Sequence, residues 1–161
     1  LGGAGVDTIN GGAGNDYYSY TATLEADPTG LITVTAGGTT SALSIAASDT
    51  ISTTVMDTIA VTVGDKIYLG SSSITAIGGG IGLANTADGS TGTVTLTSAT
   101  SAYYIPVTVS GTTATVAASS TTAYIIAWDF DASDTTAEEY ILITGTSLGT
   151  PTITAGVLTI A

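Results

Sequence analysis

The chain has no cysteine, no histidine and no arginine, and Lys66 is its only basic side chain. Each absence removes a class of chemistry. Without cysteine there is no disulfide to staple a secreted fold, no thiol nucleophile and no thiolate for zinc. Without histidine, a Ser-His-Asp relay cannot be assembled from these residues and zinc lacks its usual ligands. One cation stands against 13 acids, for a formal net charge of −12. No basic patch is therefore available for nucleic acid or an anionic membrane face. A paired-carboxylate hydrolase stays chemically open, but no spacing marks one, and the chain reads as a protein that is not an enzyme. No run of 18 apolar residues exists, so no transmembrane helix is predicted.

What is present is apolar, glycine-rich and acidic. The 161 residues are 43% hydrophobic with a mean hydropathy of +0.48. That suffices to bury a core in one or two small units. Acids crowded at about 4 Å repel by ~4 kcal/mol at an effective dielectric near 20, so a counter-ion is called for. The first residues suggest which one. Gly2-Gly3-Ala4-Gly5-Val6-Asp7 and Gly11-Gly12-Ala13-Gly14-Asn15-Asp16 both read G-G-A-G-x-D, nine residues apart. Consecutive glycines reach φ > 0, so a tight turn can aim its carbonyl oxygens at one point. The aspartate adds a charged oxygen there. Calcium takes six to eight oxygens at roughly 2.3–2.6 Å, and such turns supply them. Gly2, Gly3, Gly5, Asp7, Gly11, Gly12, Gly14 and Asp16 are accordingly the predicted metal-binding residues. The short segment after each aspartate is predicted as a strand with one inward residue, Ile9 or Tyr18.

This tandem motif resembles the RTX nonapeptide repeats of type I-secreted bacterial proteins. The resemblance implies a parallel β-roll in which calcium sits between turns stacked on one side. Val6 departs from the usual Asn or Asp, whereas Asn15 conforms. Two such turns lie on opposite sides of one coil, so each needs a neighbouring coil. The expectation is that those coils lie upstream of Leu1, which opens in mid-repeat. The resemblance also implies the type I secretion machinery as an export partner, a secreted or bacterial cell-surface location, and an export signal within the C-terminal region. The apolar end Gly156-Val157-Leu158-Thr159-Ile160-Ala161 is compatible with that signal. Asp57-Thr58-Ile59 through Gly64-Asp65-Lys66-Ile67-Tyr68-Leu69 looks like the stretch that follows the repeats in this family.

Past residue 19 the pattern changes. The predicted division is 1–19 as the end of a calcium-binding β-roll and 20–161 as a Thr-rich all-β region. Strands are predicted at 31–35, 50–55, 58–63, 66–69, 92–97, 102–109, 112–117, 122–128, 140–144 and 157–160. The runs at 123–128 and 140–143 are apolar on both faces and read as central strands. Ser110-Gly111 marks a hairpin, Gly78-Gly79-Gly80 a flexible break, and Pro106 an edge strand or bulge. One short helical turn is predicted over 135–139. The predicted fold class is all-β, a short β-roll followed by a sandwich-like or roll-like domain.

Other candidates carry two readings each. Asp129, Asp131 and Asp134 alternate like the start of an EF-hand loop, but Asp134 stands where glycine is needed and Tyr140 where glutamate is. They form either an irregular calcium site or a solvated acidic hairpin. Asp65-Lys66 reads as a local ion pair; Asp27, Asp49 and Asp88 read as turn formers. Tyr103, Tyr104, Tyr124 and Trp128 read as core, with a carbohydrate-stacking surface as the alternative. The functional expectation is a calcium-dependent extracellular structural protein that self-associates into a surface layer or filament. The alternatives are the export and folding tail of an RTX-family secreted enzyme, or an adhesin.

Overall fold

A computed structural model describes residues 5–20, 32–35, 44–80, 84–85, 91–92, 94–130 and 135–161. Among them the secondary structure is entirely β. β1 (Thr8–Asn10) and β2 (Tyr17–Ser19) follow the two repeat aspartates. β3 (Ile32–Thr35) and β4 (Thr50–Ser52) precede β5 (Asp57–Ala60) and β6 (Lys66–Tyr68). β7 (Ala76–Gly79) is followed by three short strands, β8 (Ala84–Asn85), β9 (Thr91–Gly92) and β10 (Val94–Thr95). The long β11 (Ser101–Ser110) turns into β12 (Thr113–Val116), then come β13 (Ala123–Trp128) and β14 (Glu139–Thr144). β15 (Thr152–Thr154) and β16 (Val157–Thr159) complete the order.

A ten-stranded mixed sheet runs β1-β5-β14-β13-β11-β12-β4-β3-β9, with β7 alongside β11; a four-stranded sheet runs β15-β16-β6-β2, and β10 pairs with β8. β13 is the axis of the large sheet, and all six of its residues are buried. Its side chains alternate between two cores. Ala123, Ile125 and Ala127 join Ile51, Ile105, Val107 and Leu142 in one. Tyr124, Ile126 and Trp128 join Ile141 and Ile143 in the other, with Ile67 and Leu158 supplied by the four-stranded sheet. Burial on both faces explains why 123–128 and 140–143 are apolar without alternation.

β11 exchanges partners along its length. Ala102–Pro106 pair with β13, Ser101–Tyr104 with β7, and Val107–Ser110 with β12. Pro106 falls between the last residue paired to β7 and the first paired to β12. A missing N–H is tolerated at that changeover, so the strand is neither an edge nor bulged there. The hairpin at Gly111, with φ of +59°, matches expectation. Gly78 and Gly79 do not: they lie within β7, in parallel register with Tyr103 and Tyr104. A Cβ on Gly79 would sit 1.6 Å from Tyr104 Cε1, and the Tyr103 hydroxyl donates to the Gly79 carbonyl at 3.2 Å. These glycines make room for two rings. The helical turn expected over 135–139 is absent: Thr136 bridges to Thr95, and Glu139 opens β14.

Candidate metal site in the glycine turns

The two repeat turns are built as their glycines require. Gly5, Gly12 and Gly14 have φ of +109°, +91° and +126°, values that a side chain would strain. Gly11 is needed for a different reason. A Cβ there would lie 2.5 Å from Asp16 Oδ2 and 2.6 Å from the Tyr18 hydroxyl. The Gly11 amide donates to that hydroxyl at 3.0 Å, and the hydroxyl donates to the Ala60 carbonyl at 3.3 Å. Asn10 Oδ1 accepts from the Gly12 amide at 2.9 Å and shapes the turn between the strands. Tyr18 is buried, and Ile9 packs partly buried against the same core. Gly2 and Gly3 lie outside the described residues.

The strands after the turns enter different sheets. β1 joins the large sheet and β2 the four-stranded one, so Asp7 and Asp16 stand on separate sides of one coil. Their neighbour on one side is within this chain, which corrects the expectation that stacking partners must come from before Leu1. β5 pairs in parallel with β1, and β6 with β2. The junctions are equivalent. The Asp7 amide donates to Asp57 Oδ1 at 2.7 Å, and the Thr58 amide donates to the Asp7 carbonyl at 2.9 Å. The Asp16 amide donates to Asp65 Oδ1 at 2.8 Å, and the Lys66 amide donates to the Asp16 carbonyl at 2.9 Å. Asp57 and Asp65 thus take the positions below Asp7 and Asp16 in a second coil.

These lower carboxylates are committed to the stack. Asp65 also accepts from the Thr62 amide at 2.8 Å and the Thr62 hydroxyl at 3.3 Å. That hydroxyl lies 2.9 Å from the Gly14 carbonyl as well. Asp65 therefore serves backbone amides, and the predicted ion pair with Lys66, which is exposed, does not describe it. Asp57 accepts from the Tyr20 hydroxyl at 3.3 Å. Asp57 and Asp65 were legible only through the Asp-Thr-Ile triplet repeated at 7–9 and 57–59.

The upper carboxylates differ. Asp7 Oδ2 and Asp16 Oδ2 are both sealed from solvent, and neither has a hydrogen-bond partner among the described residues. An anionic oxygen in that state costs about 1–3 kcal/mol or more. It invites a cation. The donor set is all oxygen, one carboxylate and the turn carbonyls on each side, which is the chemistry of a hard divalent ion. No group of three or more acids converges among the described residues, so backbone carbonyls would have to supply most of the ligands.

The weaker acidic set is not brought together. Asp129 is fully buried, which excludes a solvated role for it, while Asp131 and Asp134 lie outside the described residues. Asp49 closes its turn as expected, accepting from the Ala46 amide at 2.8 Å. Asp27 and Asp88 also lie outside the described residues. Tyr103, Tyr124 and Trp128 are core residues, Trp128 meeting Tyr20 edge-on at 5.4 Å. No family model, curated protein or solved structure matches this chain.

Proposed function

We propose that this chain is a calcium-dependent extracellular structural module, of the kind found in the C-terminal part of RTX surface-layer proteins, and not itself an enzyme. The observation that carries this reading is the pair of buried, unpartnered oxygens on Asp7 and Asp16 within glycine turns of positive φ. Gly5, Asp7, Gly12, Gly14 and Asp16 would hold the ion, together with Gly2, Gly3 and Gly11 of the same motif. When bound, calcium supplies the positive charge that a chain of net charge −12 lacks. The residues themselves do the rest. Asp57 and Asp65 fix the lower side of the coil through the backbone amides of Asp7 and Asp16, so the upper carboxylates are held in place before any ion arrives. Export by a type I machinery to the bacterial cell surface is part of the proposal, because millimolar calcium is met outside the cell.

Self-association is the accompanying proposal. β1 ends the large sheet and β2 ends the four-stranded sheet, so one coil presents two parallel strand edges. Open edges template pairing with a further strand. Copies of the chain, or further coils of the same repeat, would add there.

The test is thermal unfolding with and without calcium. Extracellular modules bind at about 10⁻⁴–10⁻³ M, and ten times the Kd adds about 1.4 kcal/mol per site. For a chain of this size that raises Tm by about 3–6 °C. The Asp7→Asn, Asp16→Asn double variant should lose the calcium response while still melting cooperatively. Equal Tm in EDTA and in millimolar calcium for the unsubstituted chain overturns the reading.

A further inference from the structure

A second site lies away from the glycine turns, at the end of the central sheet where the four-stranded sheet no longer covers it. A cavity of about 230 Å³ opens between β11, β13 and the segments 118–121 and 148–150. Sites for drug-sized ligands span roughly 300–1,000 Å³, so this one has room for a single ring. Its walls contain no charged side chain. Tyr104 and Pro106 offer an apolar surface on β11, and Ser119, Ser120 and Thr121 bring hydroxyls and backbone groups to the rim. In an acidic chain, an uncharged cavity selects a neutral occupant.

Tyr124 makes the cavity more than a gap in the packing. The residue lines it and is 2% exposed. Its ring meets Tyr104 edge-on, with centroids 5.9 Å apart and planes at 65°. Its hydroxyl is sealed from solvent and has no hydrogen-bond partner. Burial raises the phenol's pKa above its ordinary value, so the group stays protonated and keeps its donor across physiological pH. Such a group costs stability unless something enters to pair with it. The combination of aromatic and proline surface, rim hydroxyls, no charge and a waiting donor matches one chemical class. A pyranose has a C–H face for the ring and hydroxyls for the polar atoms.

We propose that this cavity binds one pyranose ring of a neutral sugar, stacked on Tyr104 and Pro106 with a sugar hydroxyl reaching Tyr124. The site is independent of the glycine turns and of calcium. Tyr104 supplies the surface, and Tyr124 selects for a hydroxyl over a purely apolar ring.

Saturation-transfer and chemical-shift titrations of the full chain with millimolar glucose, galactose, mannose and N-acetylglucosamine test it. At least one sugar should bind saturably. Tyr104→Ala should weaken that sugar more than about tenfold, and Tyr124→Phe about five- to tenfold, the loss of one hydrogen bond. Tyr124→Phe should melt no lower than the unsubstituted chain. If Tyr104→Ala fails to fold, Tyr124→Phe decides alone. Absence of saturable binding by all four sugars, or an affinity that Tyr124→Phe leaves unchanged, overturns the proposal. Either result leaves the calcium response at Asp7 and Asp16 to be judged by its own melts.

Discussion

Two tyrosines on neighbouring strands show what a buried hydroxyl contributes when it is partnered and when it is not. Tyr140, on β14, accepts from the Val94 amide at 3.2 Å and donates to the Ala137 carbonyl at 3.1 Å. Tyr124, on β13, has neither kind of contact. Tyr140→Phe should therefore cost about 1–3 kcal/mol, because it strands a buried amide. Tyr124→Phe should be neutral or stabilising. Denaturant melts of the two variants side by side measure the contrast, and a loss at 124 as large as at 140 would contradict it. The same residues predict a limit in alkali. Burial raises the pKa of both phenols above the 10.0 of an exposed tyrosine. The unfolded chain then releases these protons first, so the stability they contribute is present below about pH 10 and drains away as pH rises beyond it. Tm should fall above that pH, with absorbance at the phenolate band appearing together with unfolding. Phenolate formation in the still-folded chain would contradict the assignment.

At the scale of elements, the stack of the coil on its neighbour is the feature most exposed to mutation. Asp65 accepts from two backbone amides and a hydroxyl. Asp65→Asn keeps the shape but replaces one acceptor oxygen with a donor. It should cost about 2–3 kcal/mol, the worth of charge-assisted bonds to a buried group, read as a lower denaturant midpoint with unchanged slope. Gly79→Ala should be worse than an ordinary strand substitution, since Tyr104 occupies the space. Much of this layer was legible. All ten predicted runs contain strands, because β-branched residues between turn formers follow from local chemistry. Three things were not legible. Gly78 and Gly79 read as punctuation, although they are shaped by rings 24 and 25 residues further on. Pro106 read as an edge because a sequence does not reveal that a strand changes partners. The second coil was hidden by the segment 20–56 inserted before it and by its spacing, eight residues from Asp57 to Asp65 against nine from Asp7 to Asp16.

The whole molecule is tied together by its four-stranded sheet. β2 pairs with β6, and β6 with β16. Leu158 and Ile160 are buried in the same core as Tyr18 and Trp128. Removing residues 150–161 would strip two large apolar side chains, each worth about 1.5–3 kcal/mol, and leave β6 without its antiparallel partner. Against a typical stability of about 5–15 kcal/mol, the shortened chain should lack a sharp melting transition by circular dichroism. A cooperative melt near that of the full chain would contradict this account.

The order of those pairings bears on how the polypeptide can be made and moved. Residues 5–19 are synthesised well before β5 and β6, on which they rest, and β16, which flanks β6, follows almost a hundred residues later still. Long-range closure of this kind gives little return until both partners are present. The growing chain therefore passes through no compact halfway form. It stays threadable until its final strand is free, and then it closes all at once.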